Sequence, residues 1–189
     1  MELKKLREAK GITMVALVIT ITVMLILATI TINLGKETIK QTKLESLKTD
    51  MLLIEAKAKE YVESASFELG TKDNTPTEGE SQEKIDARNK RKENALAKLK
   101  GQETTDQYLQ KIGLAVSIET EKNNNIYYYQ LSQQDLKDMG LKDVLSDEDE
   151  GFFIVKYDIP NADVEVYLTN GIEVEGVRKY SLTDLKAVE

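Results

Sequence analysis

The densest group of potential metal ligands in the sequence is the acidic run SDEDEG at residues 146–151. Calcium prefers carboxylate oxygens, so the candidate ligands in this run are Asp147, Asp149 and Glu150. The run lacks the alternating ligands and the central glycine of an EF-hand loop, and neighbouring acids on a loop point in different directions. The preferred interpretation is therefore an acidic loop without an ion, with calcium as the alternative, and no other cofactor is expected.

Three consecutive tyrosines, Tyr127, Tyr128 and Tyr129, form a second group that could do chemistry, as a stacking platform for a sugar or a base. They lie in the segment IYYYQL, whose aromatic and β-branched residues predict a strand. Side chains alternate between the two faces of a strand, so Tyr128 should point away from its neighbours. The preferred interpretation places one side of this strand in the core and the other at the surface.

A basic cluster lies in the charge-dense segment 81–101 and consists of Arg88, Lys90, Arg91 and Lys92. Acidic residues are interleaved with it and no aromatic residue lies nearby for base stacking, which favours a solvated helix face over a nucleic-acid patch. Residues 12–189 also carry a net charge of −9, which repels phosphate backbones. No direct nucleic-acid partner is expected.

The residue types that are absent exclude several kinds of active site. The chain has no cysteine and no histidine, which excludes Cys/His zinc sites, thiol nucleophiles and histidine-based triads. The 33 acidic residues do not specify a catalytic pair from their spacing. The sequence therefore predicts a protein that is not an enzyme.

A short basic leader precedes a long apolar run. Residues 1–11 have a net charge of +2, and residues 12–32 contain no charged residue, proline or glycine. As a helix this run is about 31 Å long, which matches a hydrocarbon core of about 30 Å. Because the basic residues precede it, the positive-inside rule places Met1 in the cytoplasm and the chain after Gly35 outside.

The junction between leader and apolar run reads Lys10-Gly11-Ile12-Thr13-Met14-Val15. It resembles the class III signal sequence of type IV pilins, pseudopilins and competence pilins, which a prepilin peptidase cuts after a glycine on the cytoplasmic side. Lys10, Gly11, Thr13, Met14, Val15 and Leu17 match the family pattern, and Ile12 is an acceptable first mature residue.

This resemblance implies cleavage between Gly11 and Ile12 and N-methylation of Ile12. The leader would contribute the basic residues Lys4, Lys5, Arg7 and Lys10, and the assembly helix would begin with Thr13, Met14, Val15, Ala16 and Leu17. The implied partners are the prepilin peptidase, like or related pilin subunits, the assembly machinery and the membrane.

Ala16 departs from the family pattern, because most subunits carry a glutamate at the fifth mature position. Burying a carboxylate in lipid is costly, so its absence eases insertion and removes one device for aligning subunits. Loss of this glutamate is also a feature of some minor tip subunits and of divergent Gram-positive pilin-like proteins, which this sequence resembles. The apolar run also has no proline to interrupt it.

Apolar residues beyond Gly35 keep a helical period. They are spaced alternately three and four residues apart and form one stripe: Leu44, Leu47, Met51, Ile54, Ala58, Tyr61 and Ala65. We expect the stripe to pack on the protein's own sheet rather than in an intermolecular coiled coil.

The later segments predict short helices and strands. Residues 70–80 read as a loop, 81–101 and 104–114 as helices, and 126–131 and 151–159 as strands. Ser132 to Asp135 resembles a capping box, and Asn170-Gly171 predicts a hairpin turn. The arrangement of residues 151–185 again resembles the C-terminal sheet of Gram-positive pilin-like proteins.

Together these features predict an α+β, pilin-like fold, in which a long N-terminal helix packs on a small C-terminal antiparallel sheet. The expected segments are a leader (1–11), a transmembrane helix (12–34), its extracellular amphipathic continuation (35–69), a variable loop and helical region (70–125) and a sheet region (126–189). The expected function is a structural subunit of a pilus-like or pseudopilus-like surface filament. The alternative is a signal-anchored surface protein that binds a ligand or a cell-wall component without polymerising.

Overall fold

The computed structural model describes the backbone of residues 2–70, 79–146 and 151–187. Within the first helix, the described side chains are those of residues 17, 19–25 and 39 onward. The chain divides into two compact units, Met1–Ser46 and Leu47–Glu189. We call the second unit the head.

Helix α1 extends over Glu2–Leu69, and its part within the head is amphipathic. The fully buried residues of this part are Met51, Ile54, Ala58, Val62 and Ala65, and Leu69 is nearly so. Of the predicted stripe, Met51, Ile54, Ala58 and Ala65 are therefore buried, whereas Leu44 and Leu47 are half-buried. Tyr61 is only half-buried, because the slow drift of a 3.6-residue period moves Val62 into its place.

The described part of the head contains five further helices and five strands. In chain order they are α2 (Gln82–Leu96), β1 (Gln102–Glu103), α3 (Asp106–Lys111), α4 (Ile118–Asn123), β2 (Ile126–Leu131), α5 (Gln133–Asp138), β3 (Phe153–Asp158), β4 (Asp163–Val174), β5 (Val177–Ser181) and α6 (Leu182–Lys186). The predicted capping box starts α5: Ser132 Oγ accepts from the Asp135 amide at 3.2 Å, and Asp135 Oδ2 accepts from the Ser132 amide at 2.8 Å.

The five strands form one antiparallel sheet in the order β1-β2-β3-β4-β5, so each strand pairs with its neighbour in sequence. The fold class is therefore α+β, as predicted. Strand β1 was not predicted, since two residues with no apolar pattern give no strand signal.

The predicted turn at Asn170-Gly171 is wrong. Both residues lie inside β4, where the pairing with β5 shifts between Tyr167 and Ile172. The hairpin turns instead at Glu175-Gly176, which follow the pair Val174–Val177 and both have positive φ (52° and 78°), as a type I′ turn requires. Gly171, with φ 58°, provides the irregularity in β4.

Both faces of the sheet are covered. On one face Tyr128, Ile154 and Tyr167 form a core cluster with Leu109 and Ile112 of α3 and Ile118 of α4. The residues of the opposite face, Phe153, Val155, Tyr157 and Val166, are buried as well. On this second face the Tyr157 hydroxyl donates to the Lys100 carbonyl, and the Lys100 ammonium lies 6.0 Å from the ring centroid of Tyr61, so α1 packs on this side of the sheet.

Ion pairs join α1 to the rest of the head. Lys186 Nζ lies 2.9 Å from a carboxylate oxygen of Glu55, and Lys59 Nζ lies 3.4 Å from Asp163 Oδ1. A third pair joins Lys98 and Glu68 at 3.6 Å. These pairs are partly exposed, so they orient the contact and contribute little to the free energy of folding.

Candidate functional site

The most unusual surface among the described residues is an apolar stretch of α1 in the N-terminal unit. We call residues 17–25 the apolar segment. Its large apolar side chains are exposed over 49–70% of their surface: Leu17, Ile19, Ile21, Val23, Met24 and Leu25. Single exposed apolar residues are common, but a contiguous group of this size marks a contact surface.

The exposed side chains surround the helix. Successive residues are turned by about 100°, so the six side chains together leave no gap wider than about 120° around the axis. Helices that are apolar all round are found in protein cores or in membranes. The apolar segment is therefore suited to an environment of lipid tails or of other apolar helices.

Thr20 satisfies its own hydroxyl group within the helix. Its Oγ1 donates a hydrogen bond to the carbonyl of Leu17 at 2.8 Å, three residues earlier. An unsatisfied hydroxyl is costly in an apolar medium, and this bond removes that cost. The threonine is thus compatible with full burial of the segment.

Most of the predicted processing and assembly residues lie outside the described side chains. This applies to Lys4, Lys5, Arg7, Lys10, Gly11, Ile12, Thr13, Met14, Val15 and Ala16, and to part of the predicted span 12–34. Of the predicted assembly residues, Leu17 is described, and it is exposed. Among the side chains that the structure describes, no helix has an apolar stretch long enough to cross a bilayer.

The proposed calcium ligands Asp147, Asp149 and Glu150 also lie outside the described residues. In the parts of the chain that are described, no group of three or more acidic side chains is arranged to hold a metal ion.

The tyrosine triad is part of the core, so the prediction of a surface-facing side is wrong. Tyr127 and Tyr128 are only 4% and 3% exposed, and Tyr129 is partly buried. The tyrosine side chains alternate between the two faces of the strand as predicted, but α3 and α4 cover one face and α1 covers the other. The rings of Tyr127 and Tyr129 pack edge to face with centroids 6.3 Å apart, and Tyr129 packs likewise on Tyr157 at 5.9 Å.

Burial determines the ionisation of these phenols. Desolvation raises the pKa of Tyr127 and of Tyr128 to about 12, and it also raises those of Tyr157 and Tyr167. All four are therefore neutral at physiological pH. A stacking platform for a ligand is not available on this strand.

Part of the basic cluster on α2 is engaged within the head. Arg88 forms an ion pair with Glu80, and Lys92 donates to the carbonyl of Lys122 at 3.4 Å. The Lys92 ammonium also lies 5.9 Å from the ring centroid of Tyr127. The predicted solvated face is thus found for Lys90, which is exposed, whereas Arg88 and Lys92 are half-buried and contact their own chain.

A small cleft of about 170 Å³ opens beside the irregular part of β4. It is lined by Tyr108, Lys111, Gly151, Phe152, Thr169 and Asn170. Lys111 Nζ donates to Asn170 Oδ1 at 3.1 Å, and Arg178 donates to the main-chain carbonyl of Asn170 at 3.0 Å. No short stretch of sequence signals this convergence, because the three residues come from α3, β4 and β5.

Comparisons of the chain with models of known protein families, with curated proteins and with solved structures found no match.

Proposed function

We propose that the chain is a non-enzymatic, pilin-like structural subunit of a surface filament or a short pseudopilus. In this proposal a prepilin peptidase cuts after Gly11, and Ile12 becomes the methylated N-terminus. Before assembly the subunit is anchored in the cytoplasmic membrane with its head outside. An assembly machine then transfers the N-terminal helix from lipid into a bundle of like helices.

The observation that carries the proposal is the apolar segment. Six large apolar side chains of this one helical stretch are exposed over 49–70% of their surface. Burying a Leu, Ile, Val or Met side chain stabilises a structure by about 1.5–3 kcal/mol. Six such side chains therefore supply a large driving force for moving the segment out of water, first into lipid and then into a bundle.

The packing of α1 in the head supports the second half of the proposal. Its buried stripe holds the helix against the sheet, and the pair Glu55–Lys186 joins it to the C-terminal helix α6. A filament subunit requires such an attachment between its helix and a folded domain. Ala16 favours a minor or tip subunit, or a lineage that aligns its subunits differently.

The test is co-expression of the full chain with a prepilin peptidase, followed by mass spectrometry of the N-terminus. We expect a mature chain that begins at Ile12 and carries an N-methyl group. Gly11→Ala should abolish the cleavage, and Gly35→Ala, which changes a glycine beyond the apolar run, should leave it intact.

A full-length product that the peptidase does not cut would overturn the proposal and favour the signal-anchored surface protein. A cleaved subunit that cross-links to copies of itself through residues 17–25 would support assembly. A cleaved subunit that stays monomeric in the membrane would contradict it.

A further inference from the structure

We infer that Asn170 is a site of spontaneous self-modification, in which its side-chain amide is converted to a carboxylate through a cyclic imide with Gly171. The substrate is the chain's own asparagine and the co-reactant is water. The inference is independent of the proposed filament function, because it rests on residues of the head alone.

The sequence contributes one condition for this reaction. The nitrogen that attacks the asparagine side chain belongs to the residue that follows the asparagine. A side chain on that following residue hinders the attack, whereas glycine has none. Asn170 is the one asparagine of this chain that precedes a glycine. The other asparagines precede Leu, Thr, Lys, Ala, Asn or Ile.

The structure contributes two activating contacts. Lys111 Nζ donates to Asn170 Oδ1 at 3.1 Å, which polarises the side-chain carbonyl that is attacked. This ammonium also stabilises the negative charge that develops on Oδ1 in the tetrahedral intermediate, as donors in an oxyanion hole do. A charged donor is about twice as effective as a neutral one in such a contact.

The second contact acts on the nucleophile. An Arg178 guanidinium nitrogen donates to the main-chain carbonyl of Asn170 at 3.0 Å. That carbonyl belongs to the same peptide group as the Gly171 nitrogen. Withdrawal of electron density from this group makes the Gly171 N–H more acidic, so the two cations activate the electrophile and the nucleophile of one cyclisation.

The backbone conformation at position 171 also requires glycine. Gly171 has φ 58°, and a Cβ there would lie 2.6 Å from the carbonyl oxygen of Lys179. A Cβ at Gly151 would lie 3.0 Å from Asn170 Cγ, so the asparagine side chain packs closely against the Gly151 backbone. The irregular part of β4 therefore requires glycine at position 171, and glycine is also the residue type that permits the reaction.

The steps balance without an oxidant or reductant. The Gly171 nitrogen forms a bond to Asn170 Cγ and its proton passes to Nδ2. The Cγ–Nδ2 bond then breaks and ammonia leaves, giving a five-membered imide. Water adds to either imide carbonyl and opens the ring to aspartate or isoaspartate, which places a new carboxylate between Lys111 and Arg178.

The experiment follows the purified full chain over time by peptide mass spectrometry, with separation of the aspartate and isoaspartate products. We expect conversion at Asn170 and none at Asn161, an exposed asparagine that precedes alanine. Lys111→Met should slow the conversion about tenfold, the effect of removing one charged hydrogen bond from the transition state. Adding Arg178→Met to Lys111→Met should slow the conversion further. Lys137→Met, at an exposed lysine of α5, should leave the rate unchanged.

Two results would overturn the inference. One is an Asn170 that keeps its amide for as long as Asn161 does. The other is a rate in Lys111→Met that equals or exceeds that of the unaltered chain, since the lysine would then protect the amide or have no effect. Lys111 is exposed, so the variant tests the reaction without disturbing the core.

Discussion

The Tyr157 hydroxyl donates a hydrogen bond to the main-chain carbonyl of Lys100 at 3.1 Å, and the ammonium of the same lysine lies 6.0 Å from the ring centroid of Tyr61. Strand β3, the segment after α2 and helix α1 are thereby joined around one residue. Tyr157 is fully buried, so its hydroxyl has no access to solvent water. This contact helps to fix α1 against the sheet.

Tyr157→Phe should therefore lower the free energy of unfolding by about 1–2 kcal/mol, because it leaves the Lys100 carbonyl without its partner. Tyr127→Phe is the matched control. The Tyr127 hydroxyl is buried and has no hydrogen-bond partner among the described residues, so its removal should be neutral or stabilise the head by about 1 kcal/mol. Urea unfolding of both variants measures the difference, and equal losses would contradict it.

Alkaline pH should destabilise the head. The pKa values of Tyr127 and Tyr128 are raised to about 12, whereas an unfolded tyrosine ionises near pH 10. Between these values the folded state holds more protons than the unfolded state, so the free energy of unfolding falls as pH rises. Each such tyrosine contributes up to about 1.4 kcal/mol per pH unit, and the contribution is fully retained below pH 10.

The measurement for this pH dependence is urea unfolding at pH 8, 10 and 11, with tyrosinate absorbance recorded in parallel. The chain has no tryptophan to obscure that absorbance. Stability that stays constant between pH 10 and 11 would contradict the burial of these phenols.

The two glycines near the β4–β5 hairpin should differ in their tolerance of substitution. Gly171→Ala forces a Cβ to 2.6 Å from the Lys179 carbonyl oxygen, whereas a Cβ at Gly176 meets nothing within 4 Å. Gly176→Ala should cost about 1–2 kcal/mol for its positive φ alone, and Gly171→Ala should cost clearly more. Thermal unfolding compares the pair, and a smaller loss for Gly171→Ala would contradict the position of the turn.

A substitution at Glu175 should stabilise the β4–β5 turn. Glu175 has φ 52°, a conformation that glutamate adopts at a cost and asparagine adopts readily. Glu175→Asn should raise the free energy of unfolding by about 0.5–1 kcal/mol, since Asn-Gly is the preferred type I′ pair. A destabilised Glu175→Asn variant would show that the turn has another geometry.

A charge in the apolar segment should disrupt membrane retention without affecting the head. Val23→Lys places an ammonium near the middle of the predicted span, where lysine costs about 2.5–3.5 kcal/mol. Val177→Lys is the control, because Val177 is similarly exposed but lies on β5. The share of protein in the membrane fraction and the yield of filaments should fall for Val23→Lys and remain unchanged for Val177→Lys. Equal behaviour of the two variants would contradict the role of the segment.

Much of the fold was predictable where the signal is local. The buried stripe of α1, the capping box at Ser132 and the strands β2 and β3 follow from residue spacing over one or two turns or a single strand. The α+β class follows from their order along the chain.

Other features depend on contacts between distant segments. Asn170-Gly171 has the composition of a turn, yet pairing with β5 moves the turn to Glu175-Gly176. The tyrosine triad alternates as expected, yet both faces are buried because α1 and the helices α3 and α4 pack from opposite sides. The convergence of Lys111 and Arg178 on Asn170 has no counterpart in any short stretch of sequence.

The sequence by itself determined the apolar run, the helical stripe and the positions of most strands, because hydrophobic periodicity acts within a few residues. Only the tertiary structure decided which strand faces are covered, where the last hairpin turns and which cations meet Asn170. These outcomes depend on burial and pairing between residues up to 131 positions apart, as in the Glu55–Lys186 contact, and local preference does not encode them.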